Sequence, residues 1–591
     1  MVVFVAVLMS IILYLDRYCV SISAGYIRED LSLSESQMGW FFSAFFWTYA
    51  LAQVPAGRLG DRFGSRGVLT FYIVAWSFFT AMIGMAGGFI MLLTMRLACG
   101  LAQAGAYPTA GSLLSRWVPF SNRGFASGLV ALGGRGGAVI APLLTAYLMV
   151  VFVPLSTPAE LDETTILNGP ALCGRLLPPS DVDPAGDKTA TEHRLLYLLP
   201  DDAQWVIVRY GILVHMVQAI PAIKIEGSAN EKISIKPGIP AGLGDLHCDP
   251  PDVQVLCAGL NELLKNPTVF SDEEVGRLNL EREAQKFLER RQRNETLSTR
   301  ETVRFNRLVL EAMFPNEIGK LYVQGWRPVL FVYGLAGVVV AAAFWIFFRN
   351  SPAEHPRCNA AERVLIAAGG PSQSAAPEAK ADAFPARAIL TSVSLWLSSL
   401  SQFGTNFAWI FLVTSLPSYL MKVYRVPILE RGVMVSIPAL AGIAGMFLGG
   451  YLTDRLTRHV GLRWGRGLPM ALTRFGAAAA YLSCLWIHSP WPATIAFAAV
   501  FFFVDLGTSA TWAFVQDVGG KHVGAILGWG NMWGNIGAAV ATPVFAAIVD
   551  NKSLSNPWNT VFIVCAATFV VTGIAGLWID ASRPILDESS I

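Results

Sequence analysis

Four charged side chains lie inside long apolar runs in the first quarter of the chain: Asp16, Arg17, Arg96 and Arg135. A charge at membrane depth is costly, so such residues are functional candidates by default. Their charges sum to +2, and a positive cavity without compensation suits an anion. Arginine also offers a planar fork that matches a carboxylate. These residues therefore predict a site for a small organic anion.

Two of the arginines have a second interpretation. Arg96 lies only about two helical turns into its run, where a long side chain can snorkel to the interface. Arg135 lies in the middle of its run, within a glycine-rich stretch at 133–137 that leaves room for packing or for cargo. An ion pair from Arg135 to Asp16 or Asp505 competes with direct contact to a ligand.

Helix geometry divides the roles of neighbouring residues. Successive residues on a helix point about 100° apart, so Asp16 and Arg17 cannot both face one ligand. This suits a division in which Arg17 binds, while Asp16 exchanges a proton or pairs with an arginine. Tyr14 lies three residues before Arg17, and Tyr49 four before Gln53, so each pair shares a helix face.

The second half of the chain carries polar residues at helical spacing. Asp505 and Trp512 are seven residues apart, and Asn531 and Asn535 are four apart, so each pair shares a face. Amides buried in a membrane need hydrogen-bond partners. For these amides, and for Asn406, cavity lining and helix–helix bonding both remain open.

Composition bounds the class of protein. The chain has 591 residues, of which 53% are hydrophobic and 15% charged, whereas soluble domains carry about 25% charged residues. A net charge of +2 gives no support for nucleic-acid binding. The sequence shows no nucleophile motif, phosphate loop, C-x-x-C pair or metal-ligand spacing, so we expect neither an enzyme nor a cofactor or metal.

Twelve apolar runs reach about the 20 residues that a membrane-spanning helix needs. They are 2–26, 36–57, 67–88, 90–115, 124–153, 326–348, 388–420, 429–451, 466–487, 491–516, 522–549 and 557–580. A charged turn predicted at 57–66 follows one run and precedes another, and a weaker copy lies at 450–458. The repeat indicates two homologous halves.

Loop charges give the orientation. With the N-terminus inside, the inner loops hold fourteen Lys and Arg residues and the outer loops five, so both termini are predicted to be cytoplasmic. The predicted units are five helices (1–153), an extracytoplasmic inserted unit (154–324), helix six (325–348), a cytoplasmic linker (349–387), six helices (388–580) and a cytoplasmic tail (581–591).

The inserted unit is long enough to fold on its own. We predict helices at 271–292 and 298–314, the first opened by a capping box at Ser271. Cys173, Cys248 and Cys257 lie in this unit, and one pair could form a disulfide in an oxidising compartment.

Several motifs, taken in order, resemble a known family. The stretch 57–66 and Arg96-x-x-x-Gly100 with Gly105 resemble the major facilitator superfamily. Further motifs narrow this to its anion:cation symporter branch, which includes hexuronate, galactonate and tartrate carriers and relatives of vesicular glutamate transporters. They are Asp16-Arg17, Tyr49-x-x-x-Gln53, Ala-Gly-Ala-Tyr-Pro at 104–108, Trp-Val-Pro at 117–119, Gly-Trp-Arg at 325–327, Ser-Leu-Pro-Ser-Tyr-Leu at 415–420 and Gly528-x-x-Asn531. The resemblance covers about 1–150 and 325–580.

The resemblance implies an all-α membrane protein whose twelve transmembrane helices form two pseudo-symmetric six-helix halves. It implies alternating-access transport of a sugar acid or hydroxy-carboxylate, coupled to a proton or other cation. In the family, positions matching Tyr14, Arg17, Tyr49 and Arg96 hold the carboxylate and hydroxyls of the substrate. The expected substrate-binding set also includes Arg135, Asn406, Ser509, Thr511, Trp512 and Asn531.

The same resemblance assigns a gate to the charged turn. In the superfamily, a carboxylate at the position of Asp61 latches the two halves in one state, and Gly57 and Arg62 belong to that motif. Asp454 and Arg455 are the counterparts in the weaker copy. The alternative is that the arginines of these segments only follow the positive-inside rule.

Gln103 departs from the pattern of the resemblance. In proton-coupled members this position is typically glutamate, and glutamine cannot titrate. Asp505 is the candidate that replaces it, together with Asp16. The alternative for Asp505 is an ion pair with Arg135 or Arg474.

The sequence thus predicts a multi-pass protein of the plasma (inner) membrane that acts as a monomer in the lipid bilayer and does not bind nucleic acid. Two other functions remain open. A phosphorylated-solute exchanger would share the fold and the arginines, and a transporter-like sensor would use the external unit to detect a solute.

Overall fold

The structure is a computed structural model that describes residues 2–118, 123–178, 190–219, 246–356, 358–367, 390–519, 523–551 and 553–582. Within these ranges the regular structure is helical, apart from one antiparallel bridge between Ile166 and Ile318. Short 3₁₀ turns lie at Glu163–Thr165, Leu321–Gly325, Pro352–Glu354 and Cys484–Trp486.

The α-helices are numbered here in chain order. They are α1 (Val2–Asp30), α2 (Glu35–Phe63), α3 (Ser65–Ile83), α4 (Phe89–Gln103), α5 (Ala106–Trp117), α6 (Arg123–Val151), α7 (Gly169–Leu176), α8 (Ala190–Leu196), α9 (Asp201–Ala219), α10 (Pro250–Lys265), α11 (Asp272–Gly276), α12 (Arg282–Gln292), α13 (Thr299–Met313), α14 (Trp326–Phe347), α15 (Ala360–Ala367), α16 (Val393–Thr414), α17 (Leu416–Tyr424), α18 (Ile428–Ser483), α19 (Pro490–Gly519), α20 (Val523–Asp550) and α21 (Pro557–Leu577).

Long apolar helices dominate the molecule. In the described part of the chain, nine helices are long and apolar enough to cross a membrane, or ten if the pair α16 and α17, bent by 53°, counts as one span. The 56-residue α18 enters that count once, although Gly461 interrupts it with non-helical backbone angles. The protein is therefore an integral multi-pass membrane protein.

The predicted turn at 57–66 is wrong in its extent. Helix α2 continues through the charged residues to Phe63, and the reversal is confined to Gly64 at a φ of 89°. The copy at 450–458 likewise lies inside α18, and the break comes later, at Gly461 with a φ of 79°. A positive φ costs glycine little but strains residues with a Cβ, so the chain turns at these glycines and not at the charges.

Three other predicted helices are divided. The run predicted as one span at 388–420 forms α16 and α17, which are bent by 53° relative to each other. The run predicted as one span at 90–115 forms α4 and α5, which meet around Gly105. The helix predicted at 271–292 is split into α11 and α12. The capping box at Ser271 is confirmed, since its side chain accepts the N–H of Glu274 while the Glu274 carboxylate accepts the N–H of Ser271.

Two helix pairs supply most of the packing between the first half of the chain (α1–α6 and α14) and the second half (α16–α21). Helix α2 packs against α20, and α6 packs against α18. Glycines allow the close approach, because a Cβ at Gly39 would lie 3.0 Å from the backbone of Thr542 and one at Gly432 would lie 2.9 Å from Pro142. The site described next lies on the helices that surround these contacts.

Candidate functional site

Arg17 is enclosed by aromatic rings on helices α1 and α2. Its guanidinium lies 4.5 Å from the ring centre of Tyr49 and 5.1 Å from that of Phe45. Its Nε donates a hydrogen bond to Oε1 of Gln103 at 2.8 Å. Its Nη2 is buried without a hydrogen-bond partner among the described residues. Gln103 thus orients the Arg17 side chain, but one of its N–H donor groups is left without an acceptor among the described residues.

Arg96 also lies against the ring of Phe45. Its guanidinium is 4.6 Å from the ring centre of Phe45, and the residue is only 2% exposed. Nε and Nη1 have no hydrogen-bond partner in the described part of the chain. The Arg96 side chain is therefore buried and does not snorkel to the membrane interface. The guanidinium groups of Arg17 and Arg96 both contact the ring of Phe45, and they form one positive cluster.

Asp16 points away from Arg17, as the helix geometry predicts. It is fully buried, and it faces Arg96 and the indole of Trp76. Neither carboxylate oxygen has a hydrogen-bond partner within the described ranges. Tyr14 lies on the face of Arg17, 5.4 Å from the guanidinium, and packs against Gly134 of α6.

Arg135 forms an ion pair across the two halves. Its Nη2 lies 2.5 Å from Oδ1 of Asp505, which connects α6 to α19. The side chain of Asp505 is fully buried and that of Arg135 is 14% exposed. Phe501 and Trp409 cover the guanidinium at 5.5 and 5.9 Å. The structure thus contains the ion pair that competes with direct ligand contact.

Asn531 makes a second polar contact between the halves. Its Nδ2 donates to Oε1 of Gln53 at 2.9 Å, and its carbonyl accepts from Asn535 at 2.7 Å. Asn406 packs against Gly534, the neighbour of Asn535 in sequence. Asn531 and Asn406 thus contact neighbouring helices, whereas the bond of Asn535 lies within α20.

Of the other residues predicted from the second half, two have hydroxyls bonded to backbone carbonyls and one is exposed. The Ser509 hydroxyl donates to the carbonyl of Met446, and that of Thr511 donates to the carbonyl of Gly507. Trp512 is 54% exposed. The structure does not bring these three residues to the arginine cluster by any described contact.

The predicted gate residues are only partly described. Gly57 lies within α2, the side chain of Asp61 lies outside the described residues, and Arg62 is exposed beside Phe63. In the second half, Asp454 lies 3.8 Å from Arg466. Arg455 donates to the hydroxyl of Tyr451 on its own helix. The sequence prediction that Asp61 forms a latch therefore remains untested.

The sequence did not predict Phe45 as a site residue, and it indicated Arg474 only as an alternative ion-pair partner of Asp505. Phe45 lies four residues before Tyr49, on the same helix face, and that spacing was its only available signal. Arg474 is 2% exposed near Asp505, and its Nε has no partner among the described residues.

Contacts between the halves at one end of the bundle were also missed. Glu35 at the start of α2 pairs with Lys422 of α17 and with Arg28. The N–H of Ser36 donates to Asp550 at 3.0 Å. The two halves are therefore closed against each other at this end, which we call the closed face.

Comparison with known proteins gives the family context. The sequence model described as Major Facilitator Superfamily matches residues 6–156 and 318–542. The chain is 22% identical to the probable sulfoacetate transporter SauU of Cupriavidus necator, over 100% of this chain and 95% of that protein. It is 24% identical to the probable galactarate/D-glucarate transporter GudP of Bacillus subtilis, over 95% of this chain and 88% of that protein.

A shorter match and a solved structure agree with these relatives. The D-galactonate transporter of Escherichia coli O6:H1 is 36% identical over 135 residues, covering 23% of this chain and 31% of that protein. The fold resembles that of a bacterial homologue of the human lysosomal transporter Spinster, solved in an inward-facing and occupied conformation. The TM-score is 0.53 at 17% identity, covering 97% of this chain and 94% of the other.

Proposed function

Because the chain belongs to the Major Facilitator Superfamily, and is thus a transporter and not an enzyme, we propose that it moves a small organic anion across the membrane by alternating access. The cargo class is a sugar acid or other hydroxy-carboxylate. Relatives named as galactarate, glucarate, galactonate and sulfoacetate transporters support this class.

One observation carries the proposal: the buried guanidinium of Arg96 and the partly buried guanidinium of Arg17 both lie against the ring of Phe45, and both keep buried N–H donors without a partner among the described residues. A buried cation is expensive unless an anion and hydrogen-bond acceptors compensate it. Arg17 and Arg96 form no ion pair within 4.0 Å among the described residues. A carboxylate cargo would supply both the charge and the acceptors.

We propose twelve spans in two halves of six. The pairs α4 with α5 and α16 with α17 each count as one span, and α18 counts as two because Gly461 breaks it. Together with α1, α2, α3, α6, α14, α19, α20 and α21, this gives twelve. The family match leaves out residues 157–317, which supports an inserted unit there.

The orientation is likewise proposed from the loop charges. Both termini and the linker 349–387 face the cytoplasm, the unit 154–324 lies outside, and the protein is a monomer in the plasma (inner) membrane. The inner loops hold fourteen basic residues against five outside.

Coupling to a proton or other cation is proposed to use Asp505. A cation or proton that neutralises this carboxylate would weaken its ion pair with Arg135, which connects the halves. Asp16 is a second candidate because its buried carboxylate lacks hydrogen bonds within the described residues. Gln103 cannot titrate, and its proposed role is to orient Arg17.

A thermal-shift screen in detergent tests the cargo assignment. We expect galactarate, D-glucarate or D-galactonate to raise the melting temperature of the wild type but not of Arg17→Ala. Arg458→Ala is the matched control, since that arginine is exposed. A ligand that stabilises Arg17→Ala as much as the wild type would overturn the Arg17 assignment. Competition by inorganic phosphate would favour a phosphorylated-solute exchanger instead.

A further inference from the structure

The unit between α6 and α14 is fastened to the first half of the molecule. Arg304 of α13 is 2% exposed and donates to the carbonyls of Val153 and Pro154, just beyond α6, at 2.6 and 2.8 Å. The N–H of Lys320 donates to the carboxylate of Glu29, near the end of α1, at 2.6 Å. These contacts join the unit to the ends of α1 and α6, which belong to the first half.

The same unit also reaches the second half. Both carboxylate oxygens of Glu281 accept the N–H of Ile428, at 3.1 and 3.2 Å. The side-chain amide of Asn279 donates to the carbonyl of Tyr424 at 3.3 Å. A three-residue segment of the inserted unit therefore bonds to the end of α17 and to the start of α18.

Glu281 acts as a cap for a helix that is 147 residues away in sequence. It occupies the N-cap position of α12, but its side chain makes no capping bond there. The N-cap residue of α18 is Pro427, whose side chain cannot accept a hydrogen bond. Glu281 supplies that acceptor, and its negative charge lies at the positive end of the α18 dipole.

The start of α18 also contacts α1. Arg431, in the first turn of α18, is 2% exposed and donates to the hydroxyl of Tyr26 at 3.1 Å. A cavity of about 200 Å³ lies beside these groups, lined in part by Tyr26, Glu281 and Arg431. Truncating Glu281 would enlarge existing space and would not open a hole in a packed core.

These bonds bear on the movement that alternating access requires. Opening the closed face must part the start of α18 from α1 and from everything fastened to the first half. The hydrogen bonds of Glu281 and Asn279 join the inserted unit to the second half, so opening the closed face must break both of them. We propose that the inserted unit is a clamp, in which Glu281 and Asn279 stabilise the state that is closed on this face.

Hydrogen–deuterium exchange of the purified full chain, without any substrate, tests the clamp. The reporter peptides are 33–42 in α2 and 543–551 in α20, which meet at the closed face but do not contact the clamp residues in any described hydrogen bond. We expect exchange there to rise about fivefold in Glu281→Ala, the factor that corresponds to one hydrogen bond of about 1 kcal/mol. Asn279→Ala should act in the same direction, and Glu281→Gln, which keeps an acceptor, should restore most of the protection.

The controls separate a clamp from a local or folding effect. Glu273→Ala removes a carboxylate of α11, in the same inserted unit. The Glu273 side chain is 81% exposed and pairs with Arg277, so this variant should not change exchange at the reporter peptides. Hydrogen exchange in α13 reports whether the inserted unit is still folded. If Glu281→Ala raises the exchange in α13, the unit has partly unfolded in that variant, and the test then uses Asn279→Ala instead. Unchanged exchange at both reporter peptides in Asn279→Ala, or an equal rise in Glu273→Ala, would overturn the clamp. Because no cargo is present, this outcome is independent of whether the proposed cargo is correct.

Discussion

The ion pair between Arg135 and Asp505 allows a quantitative test. The single variant Asp505→Asn leaves Arg135 buried without its partner, and Arg135→Gln leaves Asp505 with only Arg474 near it, whereas the double variant removes both charges of the pair. Removing one member of a buried pair costs about 3–5 kcal/mol, while replacing both members is often close to neutral. The side chain of Arg135 is 14% exposed, so the lower end of that range, about 3 kcal/mol, is the expected loss for each single variant.

The assay is a double-mutant cycle on the free energy of unfolding, measured by denaturation in mixed micelles. We expect the double variant to lose far less than the sum of the single variants, with a coupling energy of about 2–3 kcal/mol. The matched control is the pair of Arg277 and Glu273, which has the same 2.5 Å separation but is 73% and 81% exposed. Its coupling energy should stay below about 1 kcal/mol.

One result would refute this reasoning. If the single losses add in the double variant, with a coupling energy below about 0.5 kcal/mol, the pair does not hold the two halves together. A coupling energy equal to that of the exposed control pair would lead to the same conclusion.

Three further predictions follow from the same contacts. Asp505→Asn should abolish uphill uptake yet spare exchange, and unchanged uphill uptake in proteoliposomes would count against its coupling role. Gly169 lies one helical turn before Cys173, and a Cβ on Gly169 would be 2.8 Å from Sγ of Cys248. Mass spectrometry of protein from an oxidising compartment should therefore find a disulfide between Cys173 and Cys248 and a free Cys257. A free Cys248 thiol would contradict this. Burial raises the pKa of Glu311 to about 7; the folded state then binds more protons between about pH 4.5 and 7, so stability should fall as pH rises through that window. Melting curves of Glu311→Gln should lack that fall, and an identical pH profile would contradict the assignment.

Helical spacing was sufficient to predict that Tyr14 lies on the face of Arg17. Asp16 turns away for the same geometric reason. That Tyr49 and Arg96 belong to the same site was implied only by the resemblance to the family, and the structure places the ring of Tyr49 4.5 Å from the Arg17 guanidinium. Phe45 was not predicted because an aromatic residue in an apolar helix usually serves packing. Its contact with two guanidinium groups depends on how α1, α2 and α4 are arranged.

Most features that depend on tertiary contact could not be predicted, although the ion pair of Arg135 with Asp505 was one of the alternatives. The contact of Glu281 with Ile428 joins residues 147 positions apart, and no local pattern indicates it. The chain reversals were misplaced for a local reason, since charge clusters suggested turns while Gly64 and Gly461 supplied the positive φ. The hydroxyls of Ser509 and Thr511 resemble cargo ligands in sequence but bond to helix carbonyls in the structure.

Uptake of radiolabelled D-glucarate or D-galactonate into proteoliposomes tests the central claim most directly. We predict net accumulation by the wild type and by Arg458→Ala. In Arg17→Ala the loss of charge-assisted hydrogen bonds, worth about 1.5–3 kcal/mol, should reduce uptake at limiting substrate by roughly 10- to 150-fold. Binding of a carboxylate without any net flux in the wild type would contradict the transporter assignment, and uptake by Arg17→Ala equal to the wild type would contradict the site.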